Sequence, residues 1–268
     1  KMKKVSVIMC TYNGELYLEE QLNSIIHQSY PIYEILIFDD RSTDQTMDIL
    51  HRYAESYDNI HIEINKEQKG VNKNFYDAIF SATGDYIAVS DQDDVWLLDK
   101  IEKQIKYIET TNLPICMSKS LFFSNKVPST DGIPYKTPNC NLIRYTYIGD
   151  CQGHSFLFSK ELLKYVPPIS VWSRLWDAII GSAGIALSKH QGLKDDICYH
   201  EYLTLHRLHS QNVSMKEKKE NFIYTIYKKC ISPFFLYFKI KKKLKKQFEL
   251  QYNLYCQLPP SWELDEAK

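Results

Sequence analysis

Three carboxylates, Asp91, Asp93 and Asp94, fall within four residues in the segment SDQDDVW, directly after the apolar run YIAV. Like charges this close disfavour one another's ionised form unless something positive sits among them. In extended backbone Asp91 and Asp93 point to the same side. Two carboxylates on one face can hold a hard divalent cation and leave positions for phosphate oxygens and water. The same residues would also make a solvated acidic turn ahead of a helix, and a lone D-x-D decides little. A second acidic pair, Asp39 and Asp40, ends the stretch EILIF and precedes RSTD. One carboxylate there could accept a hydrogen bond from a base N–H, and helix capping by Asp40, Ser42 or Asp44 is the plainer use. A third polar group, Thr11-Tyr12-Asn13-Gly14, follows VSVIMC without the G-x-G-x-x-G of a dinucleotide site. It offers backbone and an aromatic face to a base rather than a phosphate cradle.

The elements that must position these groups are short β-branched runs alternating with amphipathic stretches. VSVIMC (5–10), EILIFDD (34–40), NIHIEIN (59–65) and DYIAVSD (85–91) read as strands. Between them, 15–28, 42–57 (capped by Ser42 or Thr43) and 71–82 read as helices, and another runs from Leu97 to Thr110. Strands separated by helices imply βαβ units, a mostly parallel sheet, and ligands beyond the carboxyl ends of the strands. The three polar groups stand at three such ends. Beyond residue 112 the pattern loosens. Residues 124–150 read as an irregular connection, 153–159 as a strand, 173–189 as a helix despite two glycines, and 193–212 as two strands.

Composition is that of an ordinary globular chain: 268 residues, 44% hydrophobic and 25% charged, with zero formal net charge. No global field points to nucleic acid. The zero conceals an asymmetry, since residues 213–268 carry 12 Lys+Arg against 6 Asp+Glu, or +6, leaving 1–212 at −6. Seven cysteines without a CxxC pair suggest reduced thiols in the cytoplasm. The apolar run of KMKKVSVIMCTYNG is too short for a signal peptide, and no run of 18 apolar residues suggests a membrane span.

In order and spacing, VSVIMCTYNGELYLEEQLNSIIHQSY, FDDRSTDQTMDIL and GDYIAVSDQDDVWLLDKI resemble the nucleotide-sugar domain of the family 2 glycosyltransferases, inverting enzymes of GT-A fold. SDQDDVW looks like the bacterial rhamnosyltransferase-type branch. The resemblance is strong over 3–110 and traceable to about 214. It implies an α/β, Rossmann-like GT-A domain over 1–212, with a nucleotide-sugar half (1–112) and an acceptor half (113–212); beyond it, lysine- and aromatic-rich composition reads 213–268 as a helical basic extension. It also implies a metal-dependent transfer, with Mn2+ or Mg2+, from a dTDP- or UDP-sugar to a glycan or lipid-linked hydroxyl.

Carried over by position, the resemblance gives Thr11, Tyr12 and Asn13 to the nucleotide, Asp40 to the base and Asp39 to the shape of that pocket. Lys69, Gly70 and Gln92 stand near the nucleotide. Asp91 lies by the ribose and metal, Asp93 is the principal metal ligand, and Asp94 falls on the acceptor side. An inverting transfer needs a general base for the acceptor hydroxyl, and Asp177 in SRLWDAII is the best match. The branch usually shows a His-Asp-Trp-Trp-like run, from which Arg174-Leu175-Trp176-Asp177-Ala178 departs. HRLHSQN (206–212) resembles the late Tyr-Arg-x-His segment, giving Arg207 to the diphosphate and His209 to the metal or a phosphate oxygen. His154, Trp172 and Trp176 would line the acceptor side. The tail over 216–248, with 11 lysines and two acids among aromatics, suits either an anionic membrane surface or packing on the domain or on a second copy, as a homodimer. Two other readings stand beside the transferase. One is a sugar nucleotidyltransferase, which would want a glycine-rich basic loop after the first strand. The other is a non-catalytic nucleotide-sugar-binding scaffold.

Overall fold

The structure, a computed structural model, describes residues 2–124, 133–134, 152–166, 176–193, 197–210 and 212. Trp172, Arg174, Leu175, most of the 124–150 connection and the whole 213–268 extension lie outside the described residues.

The first half alternates as its periodicity demands. Strands β1 (Val5–Thr11), β2 (Glu34–Asp39), β3 (Ile60–Ile64) and β4 (Tyr86–Ser90) are separated by α1 (Leu18–Ile26), α2 (Thr46–Ser56) and α3 (Gly70–Ile79). Then come the short β5 (Val95–Trp96), α4 (Lys100–Thr111), β6 (Ile115–Phe123), β7 (Ile133–Pro134), β8 (Phe156–Ser159), α5 (Trp176–His190) and β9 (Cys198–Arg207). The strands join one sheet in the order β3-β2-β1-β4-β8-β6-β9-β5, with β7 on the side of β6. Every residue of β1 is buried, because both faces of a doubly covered strand lose water. Val5, Val7 and Met9 pack with Leu18, Leu22 and Ile25 of α1, Leu50 of α2 and Ile101 of α4. Ile8 and Cys10 pack on the opposite face, with Phe75 and Ile79 of α3 and Ile180 of α5. Period-two alternation on one strand thus serves two cores.

Several boundaries differ from the sequence expectation. The second helix begins at Thr46 rather than Ser42, because Ser42 spends its amide and hydroxyl on Asp39 (2.8 and 2.6 Å) instead of capping. The sheet is parallel through β3-β2-β1-β4 and mixed beyond, since β4 meets β8 antiparallel while β6 and β9 run parallel. Of the stretch expected to hold two strands, the described residues form one, β9, ten residues long. The run 153–159 opens with a 3-10 turn, Gly153–Ser155, before β8. The central strand β6 was not anticipated: Ser118, Lys119 and Ser120 break its apolar alternation, and the pairing with β9 is irregular at those residues. Helix α5 lies so close to the sheet that a Cβ at Gly184 would sit 2.2 Å from Ile115 Cγ2, which explains a glycine inside a helix.

Candidate functional site

Because β1, β2 and β4 are adjacent and parallel, their carboxyl ends deliver the three polar groups to one edge of the sheet. The loops there are knitted together by side chains. Fully buried Asp39 accepts from Thr11 Oγ1 at 2.7 Å and from Ser42, and Ser42 Oγ accepts the Asn13 amide at 2.9 Å. Asn13, in the left-handed region at φ 48°, turns its Oδ1 to the Thr43 amide at 2.8 Å. Asp40 is 6% exposed and accepts the Lys69 and Gly70 amides (2.7 and 2.8 Å) and Asn65 Nδ2 (2.9 Å). Asp40 therefore holds the loop before α3, with Lys69 and Gly70 brought to it through their backbone.

Gln92 joins the β1 and β4 ends. Its Oε1 accepts the Tyr12 amide at 2.9 Å and its Nε2 donates to Tyr12 O at 3.1 Å. The fit requires Gly14, where a Cβ would meet Gln92 Oε1 at 2.5 Å. Tyr12 remains 46% exposed, a ring face open to a base. Replacing Gln92 by alanine should raise the donor KM several-fold with little change in melting temperature, because it unties the Tyr12 loop without opening the core. Initial rates across donor concentrations check this, and an unchanged KM would give Gln92 no part in the site.

The segment beyond β4 meets the end of β9. Asp93 Oδ2 lies 2.6 Å from His209 Nε2, and both side chains are about one-seventh exposed, at 14% and 16%. Asp94 is fully buried: its Oδ1 accepts the Arg207 amide at 3.1 Å and lies 2.8 Å from His206 Nδ1. The His206 ring stacks on that of His154, centroids 4.6 Å apart and planes 12° apart. His154 Nδ1 faces Asp91 Oδ2 at 3.8 Å. Ligand atoms of Asp91, Asp94, His154 and His206 all lie within 4.8 Å of one another, a group that could hold a metal ion. Burial pushes the Asp91 and Asp94 carboxyls up, and the neighbouring carboxylates add to it. Burial alone would lower His206, yet the adjoining Asp94 carboxylate outweighs it and raises the imidazole to about 9. His154 is held well below the usual histidine range by burial and by the His206 charge.

The structure re-sorts several expected roles. Asp91 falls with Asp94, His154 and His206, while Asp93 and His209 form a separate pair. Arg207, expected at the diphosphate, is 3% exposed and already committed. Its Nε donates to Asp93 O at 2.9 Å, its Nη2 bonds Glu20, and Tyr17 and Phe123 cover its two faces at 4.5 and 4.4 Å. It fixes the acidic loop to β9. Trp176, expected on the acceptor side, is 5% exposed and stacks on Phe75 at 4.9 Å, a core position. His154 is likewise buried, inside the acidic group instead of on an acceptor surface.

Asp177 opens α5, with its Oδ1 accepting the Ala178 amide at 2.7 Å. Burial lifts its carboxyl to about 6, partly offset by the amides of Ala178 and Gly153. Sequence reasoning missed Glu20 and Ser120, and placed His206 only by position. Lys100, fully buried, was also unmarked: its Nζ sits 4.4 Å from the Trp96 ring and donates to Gln104 Oε1 at 2.8 Å. Burial lowers it to about 7. Nothing in a lysine-rich helix pattern distinguishes this lysine from its solvated neighbours.

An open sheet with acidic groups converging beyond parallel strand ends, backed by a β9 histidine, defines an α/β protein of the GT-A glycosyltransferase kind. Residues 6–166 match the profile of Glycosyl transferase family 2, and the chain belongs to that family. Among curated relatives, a putative teichuronic acid biosynthesis glycosyltransferase, TuaG, of Bacillus subtilis is 40% identical over 104 residues, covering 39% of this chain and 41% of that protein. The dTDP-rhamnosyl transferase RfbG of Shigella flexneri is 44% identical over 110 residues, covering 39% of this chain and 38% of its own length. The match thus spans about two fifths of these relatives. Among solved structures, the fold resembles S. aureus TarS 1–349 in complex with UDP-GlcNAc, with a TM-score of 0.59 and 21% identity over 78% of this chain and 60% of that one. It also resembles the mannosyltransferase PcManGT of Pyrobaculum calidifontis with GDP-Man and Mn2+, with a TM-score of 0.54 and 18% identity over 79% of this chain and 59% of that one. No described helix is long and apolar enough to cross a membrane.

Proposed function

We propose that the chain transfers one hexose or deoxyhexose, with inversion, from a nucleoside diphosphate to a hydroxyl of a bacterial surface glycan or lipid-linked oligosaccharide. This reading is supported by the exposed Tyr12 face, by the Asp93–His209 pair and by the Asp177 carboxyl, which lies near enough to Asp91 to help push it up. Thr11, Asn13, Asp39 and Asp40 brace the nucleotide side, with Lys69 and Gly70 beside them. The donor set fits a divalent cation of the Mn2+ or Mg2+ kind, since a carboxylate oxygen and an imidazole nitrogen stand within bonding reach of one ion. When bound, that ion stabilises the charge growing on the departing diphosphate. Arg207 and Glu20 hold Asp93 in place through its carbonyl. Asp177 takes the proton of the acceptor hydroxyl as the sugar leaves.

Donor identity follows relatives rather than this site. The similarity to a dTDP-rhamnosyl transferase supports a dTDP-sugar, and the TarS likeness keeps UDP-sugars in view. A nucleotidyltransferase reading loses its footing at CTYNGELYL, which supplies no glycine-rich basic loop. A scaffold that binds without transferring would keep the nucleotide pocket and need no base at Asp177. Thermal-shift titration of dTDP, UDP and GDP with and without Mn2+ tests the pocket, followed by release of labelled sugar from the corresponding donors. A metal-enhanced shift with sugar transfer is expected. Binding without any transfer or hydrolysis across a donor panel would favour the scaffold, and no shift at all would remove the nucleotide reading.

A further inference from the structure

Lys100 opens α4 with its side chain fully buried, a place where two effects oppose its charge. Burial strips the ammonium of water, and the amino end of a helix is itself partly positive. A lysine kept there needs neighbours that favour the charged form. Its Nζ donates to Gln104 Oε1 at 2.8 Å and stands 4.4 Å from the Trp96 ring centre. Gln104 is fixed in turn, because its Nε2 donates to Ser155 O at 2.8 Å. The ammonium still has N–H groups to give. Cys116 and Asp94 are the two groups that favour its charge, while His154 is pushed down by it. Burial pushes the Cys116 thiol up to about 12, so near neutrality that thiol is uncharged. Asp94 is left as the anion.

The strand pairing shows how the two could meet. Trp96 of β5 lies directly opposite Thr204 of β9, so their side chains share one face of the sheet. Asp94 precedes Trp96 by two positions and falls on that same face in extended backbone. Asp94 Oδ1 accepts the Arg207 amide at 3.1 Å. Its Oδ2, Trp96 Nε1 and Thr204 Oγ1 are all buried and have no hydrogen-bond partner among the described residues. Orphaned polar atoms gathered on one buried face are what internal water satisfies.

We propose that Lys100 is a positioning residue of the acidic loop, acting on Asp94 through buried water that also meets Trp96 Nε1 and Thr204 Oγ1. The directions close: the water accepts from Lys100 and Trp96 and donates to Asp94 Oδ2 and Thr204 Oγ1, so each orphan gains a partner. Lys100 is then a counter-charge built into the fold, holding Asp94 against the Arg207 amide before any metal arrives. Asp93 is the next residue back, so a loosened Asp94 also frees Asp93. The link between Lys100 and Asp94 stands without the transferase reading, whereas its effect on metal-dependent transfer rests on that reading.

The test is a double-mutant cycle on the full chain, read as melting temperature. Lys100→Met keeps the apolar stem and removes the donors. Its penalty is expected to be several-fold smaller when Asp94→Asn is already present. Equal shifts in both backgrounds overturn the proposal, since a lysine that merely fills space would give them. Thr204→Val should lower the melting temperature, because the hydroxyl holds water; replacing an unbonded hydroxyl by methyl would be neutral or stabilising, and that result would remove the water link. Should Lys100→Met fail to fold, nitrogen NMR of lysine-labelled protein decides. One slowly exchanging ammonium signal that moves in Asp94→Asn is expected, and its absence or indifference overturns the link. In the active enzyme, Lys100→Met should raise the Mn2+ concentration for half-maximal transfer several-fold. An unchanged Mn2+ requirement would overturn the positioning role, while transfer absent even from the wild type would sink the donor reading and leave the cycle as it stands.

Discussion

Asp93→Ala is expected to cut metal-dependent sugar transfer by at least about 10²–10³-fold, the scale lost when a group stabilising transition-state charge is removed. The fold should survive, because the side chain is partly exposed and its carboxylate pairs with His209 at 2.6 Å rather than with the core. The contact that ties this loop to β9 runs through the Asp93 carbonyl, which receives Arg207 Nε, and alanine keeps that carbonyl. Circular dichroism should therefore match the wild type while transfer from a labelled donor, followed across Mn2+ concentrations, collapses. Nucleoside diphosphate should still bind without metal, through Tyr12 and the loops around Asp39 and Asp40. Full activity in this variant would show that the cation, if one is used, is held elsewhere, and the inner Asp91–Asp94–His154–His206 group would become its place.

Asp177→Asn is expected to lower transfer by roughly 10²–10⁴-fold, the range for removal of a general base, with donor affinity nearly unchanged. Asparagine keeps an oxygen for the Ala178 amide, which the carboxylate now accepts at 2.7 Å, so α5 should start in the same place. The proton balance makes two further signatures. With the carboxyl lifted to about 6 by burial, the base is protonated below that pH, and kcat/KM of the wild type should fall on the acid side with a midpoint near 6. Stability runs in the opposite sense. A carboxyl raised in the folded state binds more protons there than in the unfolded chain. The stability linked to that proton is full below the ordinary carboxylate range and is lost as pH rises through about 6. At neutral pH the ionised group is thus a burden, and the asparagine variant should melt higher than wild type, with the gap closing in acid. A base that weakens its own fold is the usual mark of a site kept for function. If transfer persists in the variant, another residue deprotonates the acceptor, and if the melting gap is absent, the carboxyl is better solvated than its surroundings imply.

Much of the N-terminal half was legible in the sequence. Alternation at periods of two and 3.6 residues is a local property, and it placed β1 to β4 and their helices within a few residues. Parallel strands then bring their carboxyl ends to one edge by geometry alone, which is why TYNG, DDRSTD and SDQDD could be read as neighbours. The second half was harder because its strands are defined by what lies beside them. Strand β6 carries Ser118, Lys119 and Ser120 in the middle of the sheet. Ser120 is tolerated there because its Oγ finds Gln152 and His154, two contacts more than thirty positions away.

The sequence by itself determined the family, the α/β alternation and the gathering of acidic residues beyond the strand ends, since each depends on residue type and short-range spacing. Only the tertiary structure decided which acid meets which base. Asp93 and His209 pair across 116 positions, and Arg207 turns inward to Glu20 because Tyr17 and Phe123 close over it. Asp94 and His206 come together inside the domain, with His154 stacked beside them. Burial and side-chain direction set those pairings, and both arise only when distant strands are laid side by side.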